Sequence, residues 1–321
     1  MTIVVGTDEA GYGPNLGPLV VAATAWRVAA AVEEAEAVLA EAVAAATSAT
    51  GAGRLWSDSK EVYRAGDGME ALERGVAAGL LVSGGSAPGD WAALEAAVGT
   101  ISPPGGPGGP WSELAGIVLP VSATAAGCVA VAEAVGGPFA SRGVSLHRIA
   151  CRCIYPGEFN ALLQSGLNKS DILSQATLEL AATLRSEASD EPALVWCDRH
   201  GGRKRYGGLV ARHFDAPLVQ SLEEMPERSA YAVPSGGGGP AACRVEFCVG
   251  GEARAPVALA SMTAKYVREL SMLAFNAFWS MRQPGLEPTA GYPTDAVRWR
   301  RDAAAAIERE RISADDLWRR S

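Results

Sequence analysis

Histidine is scarce in this 321-residue chain, which has only His147, His200 and His213. A metal site here is therefore expected to use oxygen ligands, which favours magnesium or manganese over zinc. Cysteine is sparse too. Cys128, Cys151, Cys153, Cys197, Cys243 and Cys248 include no CxxC pair of the kind zinc sites use, so they read as buried reduced thiols. Basic residues are in the minority, 28 Lys and Arg against 36 Asp and Glu, and a net charge of −8 excludes wholesale coating of a nucleic acid by a basic surface. Any phosphate contact must come from local groups. Arg199, Arg203, Lys204 and Arg205 form one such group and Arg298, Arg300 and Arg301 another, and each also reads as a solvated charged face. No uninterrupted run of about 18 apolar residues occurs, since Pro, Ser, Thr and Glu break even the richest stretch, 114–135. The chain opens on Ile3, Val4 and Val5 followed by two acids, without the basic flank and apolar block of a secretory signal. The expectation is a cytoplasmic protein without a membrane partner.

What is present is ordinary globular composition, 48% hydrophobic and 20% charged, which excludes a disordered or collagen-like chain. Residues 2–7 and 19–26 are rich in β-branched residues and read as two strands of a hairpin-like unit, with Asp8 at a strand end. Residues 29–46 read as a helix, and Ser57, Asp58 or Ser59 as the cap of another running through Tyr63 and Leu72. From 84 to 110 the chain reads as loop, with SPPGGPGGP at 102–110, so an insertion is placed at about 76–143. Gly236 to Gly239 mark a second loop. Alternation returns at 144–155 with one irregularity, followed by a helix over 170–187 capped by Ser170 and a buried strand over 193–198 closed by Asp198. A long helix is expected over 256–282, beginning at a proline suited to a first turn. This order predicts an α/β fold, a mixed β-sheet flanked by helices, with insertions and a helical C-terminal region.

Asp8 and Glu9 are adjacent, so an extended strand would point them oppositely, but Gly11 and Gly13 just beyond allow both to turn toward one site. With Gly17, these glycines also permit close backbone approach by a ligand. Asp198 precedes RHGGRKRY (199–206), joining a possible ligand to a glycine turn and a basic cluster. Clustered carboxylates repel by about 4 kcal/mol per close pair at an effective dielectric of about 20, so such a cluster implies a cation. Two divalent ions about 4 Å apart are what phosphodiester hydrolysis uses to neutralise the phosphate, activate a water and stabilise the leaving oxygen. Glu269 lies on the long helix in line with Met262, Lys265, Tyr266 and Leu273, and by itself reads as a surface partner of Lys265.

Four motifs then fall in one order. DEAGYGPNLGPLVVAA (8–23) resembles the opening motif of the type 2 ribonucleases H, SDSK (57–60) the segment that follows it, ASMTAKYVRE (260–269) the helix motif, and GYPT (291–294) the C-terminal substrate-contacting motif. The resemblance covers roughly 1–75, 144–200 and 256–298. It implies a ribonuclease H-like catalytic domain over 1–282, with the insertion at about 76–143, and a C-terminal helical extension over 283–321 carrying GYPT. It also implies metal ligands and catalytic acids at Asp8, Glu9, Asp198 and Glu269, two Mg2+ or Mn2+ ions, and substrate contacts at Gly11, Tyr12, Gly13 and Tyr292. Lys60, Arg203 and Lys204 read as the first candidates for phosphate contacts, each also readable as a surface charge. Asn168 and Lys169 are further phosphate candidates.

The implied activity is endonucleolytic hydrolysis of the RNA strand of an RNA–DNA hybrid, or cleavage at ribonucleotides within DNA, by a monomer. Tyr12 stands where the family usually has arginine, which removes a cationic phosphate contact, and Glu269 where it commonly has aspartate. The segment 207–255 has no counterpart in the motif order. A nuclease of the same fold acting on branched DNA and a catalytically silent nucleic-acid-binding protein are the alternatives.

Overall fold

The computed structural model describes residues 1–320 except 52–54, 58–61, 64–67, 189–190 and 235–240, and gives no side-chain surroundings for 241–242. Seven strands form one mixed sheet: β1 (Thr2–Ala10), β2 (Leu19–Val28), β3 (Val144–Ile154), β4 (Ala193–Asp198), β5 (Gln220–Glu224), β6 (Arg228–Pro234) and β7 (Ala241–Cys248). Their spatial order is β3-β2-β1-β4-β7-β6-β5. The pairs β1–β4 and β4–β7 are parallel and the rest antiparallel. The helices are α1 (Val32–Thr50), α2 (Glu70–Val82), α3 (Trp91–Val98), α4 (Ala125–Ala140), α5 (Pro156–Gln164), α6 (Lys169–Ala188), α7 (Gly207–His213), α8 (Ala255–Arg282), α9 (Pro293–Asp302), α10 (Ala304–Glu310) and α11 (Ala314–Leu317). This is the expected mixed sheet flanked by helices, with a helical C-terminal region.

The alternation along the strands sorts two cores. Val4, Val20, Ala22, Trp26, Leu194 and Trp196 face α8, packing on Val257, Leu259, Ala260 and Val267. Ile3, Val5, Ala23, Ala25, Val195 and Val245 face α6, against Leu178, Ala181 and Leu184. Both faces are covered, so the central strands are apolar in nearly every position. α8 lies close to the sheet because residue 6 is glycine: a Cβ there would sit 2.3 Å from the Pro256 carbonyl carbon. The Thr24 hydroxyl donates to the Pro256 carbonyl at 2.8 Å, fixing the start of α8 over β1 and β2.

Several expectations differ from the structure, among them the cap of α6: Asn168 accepts from the Asp171 amide at 3.0 Å, and Ser170 lies within the helix. β1 runs to Ala10, so Asp8 and Glu9 lie within the strand, paired with Ala22 and Val21, rather than at its end. Residues 84–110 contain α3, whose Asp90 accepts from the Ala93 amide at 2.7 Å and whose Trp91, Leu94 and Val98 are buried. The helical period was present, but too short between glycine-rich flanks to separate from loop. Finally, 207–255 supplies three strands, one of them the parallel neighbour of β4. The helix cap expected at Asp58 or Ser59, and the loop at 236–239, lie outside the described residues.

The segment 76–143 is built into the main core. Trp91, Trp111, Leu114 and Phe139 belong to the same cluster as α8, as do Trp299, Ala306 and Leu317 from the C-terminal helices. Glu73 on α2 ties the segment down, its buried carboxylate accepting from the amides of Val121, Ser122 and Ala123 at 2.5, 2.6 and 2.6 Å and from the Tyr266 hydroxyl at 3.2 Å.

Candidate metal centre

The parallel register between β1 and β4 runs to Thr7 opposite Cys197, so the next residues, Asp8 within β1 and Asp198 at the end of β4, come side by side. Strand spacing is about 4.8 Å, which brings two short carboxylates together without any special loop. Glu9 would be expected on the opposite face. Its carboxylate reaches the group nonetheless. Ligand oxygens of Asp8, Glu9 and Asp198 all lie within 4.8 Å of one another, Asp8 buried and the other two half-buried. Crevices beyond the carboxyl ends of parallel strands are where open α/β sheets bind ligands.

The electrostatics match that geometry. Burial raises the Asp8 carboxyl well above the usual range, and the charges of Glu9, Asp198 and Glu252 add to it, opposed only by a hydrogen bond from the Ser261 hydroxyl. Asp8 Oδ1 also accepts from the Glu9 amide at 2.7 Å. Asp198 Oδ1 accepts from the Gly251 amide at 3.1 Å, so the chain leaving β7 docks on β4 at the site. This carries Glu252, in the short 3-10 turn Gly251–Ala253, into electrostatic contact with Asp8. Glu252 was not among the acids expected from the sequence. The available signal was an acid four residues before Pro256, at the mouth of the helix the motif defined.

Glu269 is not brought to this group. Its Oε1 pairs with Lys265 at 2.7 Å and its Oε2 accepts from the Tyr63 hydroxyl at 2.9 Å, the partnership its spacing alone indicated. Ser261 is the α8 residue that reaches Asp8, and Glu269 lies eight residues further on, about 12 Å along the axis.

The opening loop packs as much as it exposes. Gly11, at φ +84, would with a Cβ approach the Pro18 carbonyl oxygen at 2.6 Å and the Arg268 side chain at 2.9 Å, so its freedom serves packing on α8, whereas Gly13 faces open space. Gly291 accepts from the amides of Asn15 and Leu16 at 2.9 and 3.2 Å, which sets Tyr292, 52% exposed, beside this loop. Tyr12 does not leave the loop without a cation: Lys169 Nζ lies 4.6 Å from its ring centroid. Arg203 pairs with Asp171 and donates to the Ser170 hydroxyl at 3.1 Å, and Lys204 is exposed. Lys60 lies outside the described residues. In the second basic group, Arg298 bonds Asp295, Arg301 bonds Asp302 and Arg300 lies over Trp318, so these arginines serve the C-terminal helices. The six cysteines are free thiols, five of them buried. Among the described residues no helix is long and apolar enough to cross a membrane.

No family model and no curated protein matches the chain. Among solved structures it is similar to that described as the PCNA:RNase HII complex from Archaeoglobus fulgidus, at a TM-score of 0.46 and 14% identity over 98% of this chain and 93% of that one. It is likewise similar to the ribonuclease H2 from Pyrococcus horikoshii OT3, at a TM-score of 0.46 and 13% identity over 98% and 92%. A third is Bst-RNase HIII in complex with Mn2+, at a TM-score of 0.43 and 16% identity over 99% of this chain and 66% of that one.

Proposed function

We propose that the protein is a divalent-metal-dependent endonuclease of the type 2 ribonuclease H kind. In this reading it hydrolyses the RNA strand of RNA–DNA hybrids, or cuts at ribonucleotides embedded in DNA, and leaves 5′-phosphate and 3′-hydroxyl ends. The observation that carries the reading is the convergence of Asp8, Glu9 and Asp198 within 4.8 Å at the ends of adjacent strands. Three acids so close, one of them buried and pushed toward its protonated form by its neighbours, make a site completed by positive charge. The donor set is all oxygen, which fits Mg2+ or Mn2+.

Asp8, Glu9 and Asp198 would hold two such ions, with Glu252 completing the set instead of Glu269. When bound, the ions supply Lewis acidity and an activated water to a phosphodiester. The chain's own residues do the rest. The Glu9 amide and the Ser261 hydroxyl orient the Asp8 carboxylate, and the Gly251 amide orients that of Asp198. Gly13 leaves its backbone open to a sugar, and the exposed Tyr292 ring beside the loop suits contact with a ribose. Arg203 and Lys204 stand on the loop that follows Asp198, where they would meet phosphates.

The test is a cleavage panel with Mg2+ or Mn2+: an RNA–DNA hybrid, a DNA duplex with one ribonucleotide, and a branched DNA. Cleavage of either of the first two, lost in Asp8→Asn, is expected. Cleavage of the branch alone would reject the ribonuclease reading, and binding without cleavage of any substrate would reject the enzyme.

A further inference from the structure

Lys169 is the first residue of α6, directly after Asn168, which exchanges hydrogen bonds with Asp171 in a capping arrangement: Asp171 amide to Asn168 Oδ1 at 3.0 Å, Asn168 amide to Asp171 Oδ2 at 3.2 Å. A cation in the first turn of a helix opposes the helix dipole, so this position works against stability. It is opposed further by its neighbours. Lys169 is half-buried, and both burial and the charge of Arg319 draw its pKa down. Asp171, the one acid in that turn, is taken by Arg203, and among the described residues Lys169 makes no ion pair. What holds the ammonium is the face of Tyr12, 4.6 Å away.

Tyr12 in turn belongs to the acid site. Glu9 and Arg203 both act on its hydroxyl, and a Cβ on Gly201, three residues after Asp198, would lie 3.7 Å from that oxygen. Behind the loop, Arg268 and Arg319 are buried and donate to backbone carbonyls, Arg268 to Ala290 at 2.9 Å and Arg319 to Pro14 and Gly11. Burial and the Arg268 charge draw Arg319 down to about 9. Positive charge thus accumulates on one flank of the opening loop while negative charge accumulates at the metal centre. Residues that break a local rule without structural compensation concentrate at functional sites.

Resting on the nuclease reading above, we propose that Lys169, steadied on the Tyr12 ring, binds a phosphate of the nucleic-acid backbone and so sets the register of the strand against Asp8, Glu9 and Asp198. The cation reaches the loop from α6, and the tyrosine is its platform. Lys169 is a positioning residue: it touches substrate away from the reacting atoms and governs binding more than the chemical step.

The experiment compares wild type, Lys169→Ala and Lys169→Arg by fluorescence anisotropy on a labelled RNA–DNA hybrid across a KCl series, with kcat, KM and Tm for each. Lys169→Ala is expected to weaken binding about tenfold at low salt and to lower the slope of log affinity against log salt by about one, as loss of one phosphate contact does. KM rises, kcat holds, and Tm is unchanged or higher because an unfavourable charge has gone. Lys169→Arg restores binding. If wild type cleaves the hybrid but Lys169→Ala keeps its salt slope and KM, this inference fails and the nuclease reading stands. If Lys169→Ala lowers Tm and Lys169→Arg does not restore binding, the role is structural and the inference is overturned. A Lys169-dependent slope with no cleavage of any substrate would retain the phosphate contact and remove the nuclease.

Discussion

Glu246 on β7 and Asp8 on β1 are both nearly inaccessible carboxylates of the central sheet, 3% and 6% exposed. Their surroundings are opposite. Glu246 is met by Arg228 at 2.7 Å, Arg244 at 2.6 Å and Arg254 at 3.4 Å, and Arg254 also lies 4.6 Å over the Trp196 ring and bonds Glu36. The strongest charges on Asp8 are those of Glu9, Asp198 and Glu252. The first carboxylate is balanced by cations within the fold, whereas the second has its pKa raised by burial and by the like charges around it. The two sites are close in the same sheet, since Glu246 stands beside Trp196 and Cys248 beside Asp198. Burial alone therefore does not distinguish the two carboxylates; the sign of their neighbours does.

The sharpest way to break that comparison is Asp8→Asn. Activity should fall roughly a thousand-fold or more, as for a group acting directly in the chemistry. The sign of the stability change is opposite. The folded pKa of Asp8 is raised above 3.8, so its contribution to stability is present at low pH and lost as pH rises. Without divalent metal, Asp8→Asn should match or exceed wild type in Tm at neutral pH. Added Mg2+ or Mn2+ should raise the Tm of wild type only, and an equal rise in both would count against the acid cluster as the metal site.

Glu246→Ala should do the reverse. Removing one member of a buried ion cluster costs about 3 kcal/mol by urea denaturation, moderated by the partial exposure of the three arginines. Metal-dependent stabilisation should survive, and wild-type stability in this variant would show that the network contributes nothing net. Next in size is the choice between two acids: Glu252→Ala should lower kcat about tenfold to a hundredfold, as loss of a group tuning a metal site does, while Glu269→Ala should leave it nearly unchanged. The opposite order would return the fourth acid to α8.

The smallest effect concerns His200. It is 1% exposed with Nδ1 2.9 Å from the Ser174 hydroxyl, and burial with the Arg203 charge lowers its pKa to about 3 from the ordinary 6.5. Between those values the unfolded chain binds a proton that the folded chain does not. Stability therefore rises with pH across the window and is lost as pH falls below 6.5, by at most about 1.4 kcal/mol per unit. Urea denaturation at pH 5 and 6 should show this slope reduced in His200→Gln. An unchanged slope would place the acid sensitivity elsewhere.

Much of this was legible in local pattern. The strands holding Asp8 and Asp198 announced themselves as β-branched or apolar runs, and the helices at 169–188 and 255–282 as uninterrupted amphipathic or apolar periods. Those signals survive without tertiary context because both cores demand alternation or helical spacing from every residue they bury. The short helix at Trp91–Val98 and the strands of 207–255 were hidden, being too brief or too interrupted for a period to stand out.

The amino-acid sequence by itself determined two aspartates near the carboxyl ends of apolar strands, and its three histidines gave the expectation of oxygen ligands. Only the tertiary structure decided which acids share a site. β4 lies parallel to β1 in unshifted register, which sets Asp8 beside Asp198 across 190 residues of chain. β7 lies parallel to β4, which delivers Glu252 to them, while Glu269 stands midway along α8, paired with Lys265. Strand order and register depend on long-range packing, and no spacing along the chain encodes them.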